Sequence, residues 1–229
     1  VRVNPLDDAL ALEDLAAVVA HAPDGIVLPK ASGPACVERL SFHLDALEVQ
    51  AGVARGSVGV IPVATETASA PFRLGGYAEA RLPRLRALTW GAEDLSAALG
   101  AAGNLDASGA WALTYRIARS LTLLAAHAAG VPAIDTIFTT FRDEAGLRAS
   151  SSAAFAEGFC GRMAIHPAQV DAINESFSPS DEQLARAHRV VAAFRSAADA
   201  GAVGLDGTML DLPHLKQAQA MLDRRADRR

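Results

Sequence analysis

The chain has 229 residues, of which 51% are apolar and 21% charged, and 50 of them are alanine. That length buries a full core in one large domain or two small ones. A net charge of -5 supplies no basic field for nucleic acid, and the densest basic cluster, Arg224, Arg225, Arg228 and Arg229, shares its tail with Asp223 and Asp227. No apolar run approaches the roughly 18 residues of a membrane span, since the most apolar stretch, Leu121 to Ile134, is broken by Thr122, His127, Gly130 and Pro132. Cys36 and Cys160 stand far apart outside any CxxC spacing, the pattern of free thiols in a reducing compartment. With no secretory leader pattern, the expected location is the cytoplasm.

Val1 to Asn4 reads as a short strand stopped by Pro5. Asp7 to His21 carries apolar residues at helical spacing, and Gly25 to Pro29 is a continuous branched apolar run of the kind found in buried strands. Helix from about Pro34 to Val49, strand from Val58 to Ala64, helix around Phe72 to Ala80, strand from Leu85 to Trp90 and helix from Trp111 to Ala129 continue the alternation. The strand Ala133 to Phe138, a helix around Ala149 to Glu157 and the strand Arg162 to Ile165 follow, then long helices from Pro179 to Ala200 and Leu212 to Arg225. The Gly-rich run Ala200 to Gly207 reads as a hinge that leaves the last helix as a detached arm.

Strands alternating with helices indicate a parallel sheet, either doubly wound or closed as a barrel. Nearly every strand ends in a reactive or ligand-binding group: Arg2 and Asn4, Lys30, Thr65 and Glu66, Glu93 and Asp94, Asp135, and His166. A barrel gathers such ends on one face, whereas an open sheet spreads them along an edge. The expected fold is therefore an α/β chain of the (β/α)₈ TIM-barrel type. Only six strands are found, so its first two are expected before Val1. Residues 1–175 form the barrel part and 176–229 a C-terminal helical extension.

Glu66 and Asp94, on neighbouring strand ends, come within the span of one hard cation, and two carboxylates completed by water and substrate oxygens suit Mg²⁺. Glu93 and Asp94 equally suit the first turn of a following helix. Lys30 is a Schiff-base nucleophile, a cation that orients an anion, or a member of a strand-end ion pair. His166, before Pro167, is a general base or a polar contact to a ligand. Asp211 precedes Leu212-Pro213 and reads as a helix cap. GxSxG, P-loop, GxGxxG and HExxH motifs are absent from the sequence, which leaves the common hydrolase, NTPase, dinucleotide and zinc-protease chemistries without their signatures.

Seven ordered segments, Val1-Arg2-Val3-Asn4-Pro5, Asp24 to Lys30, Ala64 to Ala68, Trp90-Gly91-Ala92-Glu93-Asp94-Leu95, Ala133 to Thr136, Gly158 to Pro167 and Asp206-Gly207-Thr208-Met209-Leu210-Asp211, together resemble the CoA-ester lyases. That family includes the citrate lyase β-subunit, malyl-CoA lyases and citramalyl-CoA lyases. The resemblance implies Mg²⁺-dependent cleavage or formation of a carbon–carbon bond between an acyl-CoA and a 2-oxo acid. It implies Glu66 and Asp94 as metal ligands, with Glu66 also at the substrate, and Arg2 as the group that holds the 2-oxo acid carboxylate and steadies the oxyanion. Asp211 resembles an acid/base delivered by a neighbouring subunit in a homotrimer or hexamer. Asp135 and His166 are the candidate contacts to coenzyme A.

Family members carry a longer stretch before the Arg-Val-Asn strand, with a second strand ending in Asp-Leu-Glu-Asp. Two readings compete with the lyase: a class I aldolase acting through Lys30, and a non-catalytic subunit that keeps CoA affinity and the oligomer interface.

Overall fold

The computed structural model describes residues 1–197 and 201–226. Arg228, Arg229 and Asp227 of the basic tail, and the end of the helix expected to reach Ala200, lie outside the described residues. The first half runs α1 (Ala11–Val19), β1 (Gly25–Leu28), α2 (Pro34–Ala51), β2 (Gly59–Pro62), α3 (Gly76–Glu79), β3 (Leu88–Thr89) and α4 (Ala92–Ala98). The second half runs α5 (Leu113–Ala128), β4 (Ala133–Asp135), α6 (Glu144–Glu157), β5 (Gly161–Arg162), α7 (Val170–Ser176), α8 (Asp181–Ser196), β6 (Ala202–Leu205), β7 (Thr208–Asp211) and α9 (Leu212–Ala226).

Pairing follows the order of the chain. Arg2 bridges Val27 in parallel, β1 pairs β2, Val60 and Val63 bridge Leu85 and Thr89, β3 pairs β4, and β4 pairs β5. The amide of Val27 reaches the carbonyl of Val1 at 2.8 Å and that of Ala64 reaches Thr89 at 2.8 Å, so the terminal segment and β3 are ladder members although short. Six strand positions thus lie side by side, all parallel, with no reversal of order. A doubly wound sheet reverses at its switch point, and this arc does not. Its C-terminal strand ends all point to one side.

Helices form where the chain supplies stops and starts. Pro34 opens α2 at a position where its missing N–H is harmless, and Gly52, at φ 69°, ends it. Asp143 caps α6 by accepting from Gly146 N, and Ser180 with Gln183 forms a reciprocal capping box at α8. On β1, Ile26 and Leu28 join the core with Leu40 and Leu44 of α2, while the intervening Val27 lines an open cleft. Each fully buried leucine of that core contributes about 1.5–3 kcal/mol.

Two expectations need correction. The helix expected over Phe72 to Ala80 is a 3₁₀ turn, Ala70–Arg73, followed by the single turn of α3, because Gly75 and Gly76 interrupt the helical run. The Gly-rich hinge is an antiparallel hairpin, β6 on β7, turning through Asp206 at φ 50° and Gly207 at φ 76°. Two left-handed residues in succession are the requirement of a type I′ turn, and Asp-Gly is its usual sequence.

The C-terminal unit has its own core of Ala187, Val190, Val191, Phe194, Val203, Leu210 and Ala218. Its last helix is not detached: Met221 packs against both cores, and Arg224 stacks over Phe155 at 5.1 Å. Among the described residues no helix is long and apolar enough to cross a membrane.

Candidate active site

An open cleft lies at the C-terminal ends of the parallel strands. Arg2, Val63, Glu66, Trp90, Asp94 and Met163 are among its lining residues. The arc therefore brings together Arg2, Glu66 and Asp94, three of the residues singled out from sequence.

Glu66 follows β2 and is only 6% exposed. Its Oε2 accepts a 2.6 Å hydrogen bond from the backbone N–H of Lys30, and Lys30 has the left-handed φ of 52°, uncommon for a side chain of its size. That twist sits where the backbone amide meets the carboxylate. Burial pushes the Glu66 carboxyl above the usual carboxylate range, the Lys30 amide opposes this, the neighbouring Asp94 carboxylate adds to it by charge and by a shared hydrogen bond, and Arg2 opposes it. Two carboxyl groups pressed together beside one guanidinium form a locus that favours a cation.

Gly91 makes the approach possible. A Cβ there would lie 2.7 Å from Glu66 Cγ and 2.9 Å from Oε1, closer than atoms pack. Thr65 fixes the same glycine, its hydroxyl accepting from Gly91 N at 3.0 Å. Asp94 lies in the first turn of α4 and meets Lys30 Nζ at 3.5 Å, the two side chains being 37% and 49% exposed. Lys30 is thus a half-solvated partner of a carboxylate. An amine activated as a nucleophile is desolvated or set beside another cation, so the Schiff-base reading loses its support. Glu93 turns aside to accept from Asn104 at 2.9 Å.

The donor set discriminates among metals. Among the described residues no group of three or more His, Cys, Asp or Glu gathers, which does not suit zinc, with its three or four protein ligands. Two carboxylates facing an open cleft suit Mg²⁺, which keeps several waters and takes the rest of its shell from substrate oxygens.

Asp135, expected at coenzyme A, has a different environment. It is 2% exposed; Oδ1 accepts from Trp90 Nε1 at 2.6 Å, Arg119 Nε at 3.1 Å and Thr136 N at 2.9 Å, while Oδ2 accepts from Arg162 at 2.9 Å and Arg119 at 3.2 Å. Its lone pairs are taken up inside the protein, where it ties β4 and β5 to α5 and fixes the indole that walls the cleft. Sequence reasoning missed this role, and it also missed Gly91; a glycine directly after a strand signals close backbone approach, whereas nothing local announces Arg119 or Arg162 as partners of Asp135.

His166 is exposed, accepts from Ala168 N at 3.1 Å, and stacks on Phe141 with ring centroids 5.1 Å apart. It does not line the cleft. Neither does Asp211, which ends β7 with its side chain 51% exposed and Oδ1 2.5 Å from His214 Nδ1.

Known proteins resemble this chain over nearly its whole length. Human mitochondrial citramalyl-CoA lyase is 33% identical over 96% of this chain and 66% of its own length, so the chain spans just under two thirds of that relative. A citrate lyase subunit beta-like protein of Mycobacterium tuberculosis is 37% identical over 98% of this chain and 75% of its own length. The crystal structure of CitE from Mycobacterium tuberculosis in complex with magnesium, acetoacetate and coenzyme A superposes with a TM-score of 0.79 at 35% identity, covering 97% of this chain and 76% of that one. Residues 1–167 match the HpcH/HpaI aldolase/citrate lyase family, and the chain belongs to that family.

Proposed function

We propose that the chain is a Mg²⁺-dependent carbon–carbon lyase of CoA esters, acting on a 3-hydroxyacyl-CoA such as citramalyl-, malyl- or citryl-CoA to give an acyl-CoA and a 2-oxo acid. The observation that carries the reading is the convergence of Glu66, Asp94 and Arg2 on one cleft at the C-terminal strand ends. The six parallel positions in chain order support a (β/α)₈ frame, which places active sites at this face. A CitE relative crystallised with magnesium, acetoacetate and coenzyme A supports the ligand class.

When bound, the divalent ion polarises substrate oxygens and offsets negative charge that develops on them. Glu66 and Asp94 would hold it; Arg2 would grip the carboxylate of the 2-oxo acid portion and offer fixed positive charge to the oxygen that gains it. Cleavage leaves the bonding electron pair on the α-carbon of the thioester as an enolate, and that carbon takes one proton while the substrate hydroxyl loses one as it becomes a carbonyl. The hydroxyl proton passes to solvent, and Asp211, entering protonated, supplies one to carbon and is re-protonated from solvent. Because Asp211 does not line the cleft of its own chain, the reading assigns it to the cleft of a second copy, in a homotrimer or hexamer. Trp90, held by Asp135, keeps the wall of the cleft in place. His166 and Phe141 present an exposed aromatic face suited to the acyl-CoA.

Turnover of the three CoA esters, with Mg²⁺ and with EDTA, tests this. Activity abolished by EDTA and restored by Mg²⁺, with Asp94→Asn reduced by about 10²–10³-fold, is the expected result. CoA-ester binding without turnover under any condition would favour the non-catalytic subunit instead.

A further inference from the structure

The strand-to-helix junction at Asp211 departs from ordinary helix capping. Asp211 is the residue before α9, and a capping carboxylate there accepts from the N–H groups two or three residues on. Asp143 does so at α6, taking Gly146 N at 2.9 Å. At α9 the second helical position is Pro213, which has no N–H, and among the described residues the Asp211 side chain accepts no backbone hydrogen bond. It is held instead by His214, whose Nδ1 is 2.5 Å from Oδ1 and 3.2 Å from the backbone N of Asp211.

The His214 Nδ1 contact fixes Oδ1, whereas Oδ2 accepts no hydrogen bond among the described residues.

We propose that His214 is a positioning residue for Asp211: it replaces the helix amides as the partner of Oδ1, sets the carboxyl rotamer, and leaves Oδ2 presented for proton transfer. The inference rests on Asp211 acting as the acid/base of the lyase reaction. The surroundings allow it. Gln183 and Arg186 of α8 and Gln217 of α9 are the other polar residues lining the hollow beside His214, and Arg186 is its one other charged group among the described residues. The junction is held in place by the hairpin, whose turn residue Asp206 is paired to Arg189 of α8 at 3.1 Å.

Two measurements on the full chain test this. In spectra of ¹⁵N-histidine-labelled protein, the Nδ1 resonance of His214, assigned by its loss in His214→Ala, shifts when Asp211→Asn is introduced. In turnover of the best CoA ester with Mg²⁺, His214→Ala lowers kcat about 10- to 100-fold with KM within about twofold, and His214→Asn, which places a polar atom near Nδ1, recovers most of the loss. A purely structural role moves neither the kcat/KM split nor the rescue. Full kcat in His214→Ala alongside an inactive Asp211→Asn overturns the inference while leaving Asp211 as the acid/base. Wild-type activity in Asp211→Asn overturns the underlying reading of Asp211 instead. An Nδ1 resonance indifferent to Asp211→Asn removes the pair itself.

Discussion

Two acidic clusters lie at opposite ends of β2, and they are built on opposite principles. Near its start, Glu48 is fully buried and every neighbour satisfies it: Val58 N at 2.9 Å, Gly56 N at 2.7 Å, and Arg84 at 2.8 and 2.6 Å. Asp45 completes the set by accepting from Arg84 and Arg55. Beyond its far end, Glu66 touches another carboxyl group instead. The first arrangement joins α2 to the sheet and leaves nothing to react; the second holds like charges together at a cleft. Stability at the N-terminal face of parallel strands and chemistry at the C-terminal face is the division expected of barrel folds.

The largest expected effect lies in the closed cluster. Glu48→Ala strips the 3% exposed Arg84 of its principal partner and leaves a buried charge short of compensation, a loss of about 3–5 kcal/mol by denaturant unfolding, softened where Asp45 remains. Its response to Mg²⁺ should be unchanged. The pH dependence follows the same logic. Hydrogen bonds from Arg84, helped by the Val58 and Gly56 amides, hold the Glu48 carboxyl at about 2 against an ordinary 4.5. Its contribution is therefore complete above about pH 4.5 and disappears as the pH falls toward 2. A wild-type stability profile flat across that window would contradict the account.

An intermediate effect is expected at Gly91, which lies against Glu66 in the second cluster. The Cβ of Gly91→Ala collides with Glu66 Cγ and Oε1, so the carboxylate moves or the β3 end shifts. Overpacking of this kind costs about 1–3 kcal/mol, and the displaced ligand should weaken Mg²⁺ binding in calorimetry. Unaltered Mg²⁺ affinity would show that Glu66 does not need its present position.

Sequence showed more of the site than of its supports. The alternation of strands and helices made the parallel order visible, and strand-end polar residues pointed to Arg2, Glu66 and Asp94, because a residue at a strand end reaches a cleft through local geometry alone. Asp135 shows the converse. It too ends a strand, but Arg119 and Arg162, distant in the chain, close over it, and such long-range ion pairs leave no local periodicity. The hairpin at Asp206-Gly207 is legible in the Asp-Gly pair, which specifies a tight turn, although the glycine content around it points to a hinge.

The smallest effect gives the sharpest test, since the two clusters predict opposite signs. Burial, reinforced by Asp94, raises the Glu66 carboxyl above its ordinary value. As pH climbs past that ordinary value, the unfolded chain ionises first and the fold loses stability until Glu66 ionises as well. At pH 7 in EDTA the wild type carries this penalty. Glu66→Gln removes the charge and keeps an oxygen for the Lys30 amide, so its Tm should exceed that of the wild type, by on the order of 1–2 °C for a chain of this size. The difference should vanish near about pH 4, where both states of the wild type are largely protonated. Mg²⁺ should raise the wild-type Tm through its preference for the folded site and leave Glu66→Gln nearly unmoved, reversing the order of the two proteins. A lower Tm for Glu66→Gln in EDTA would mean that the Lys30 hydrogen bond to a charged Glu66 outweighs the crowding of carboxylates, making this cluster structural like the other.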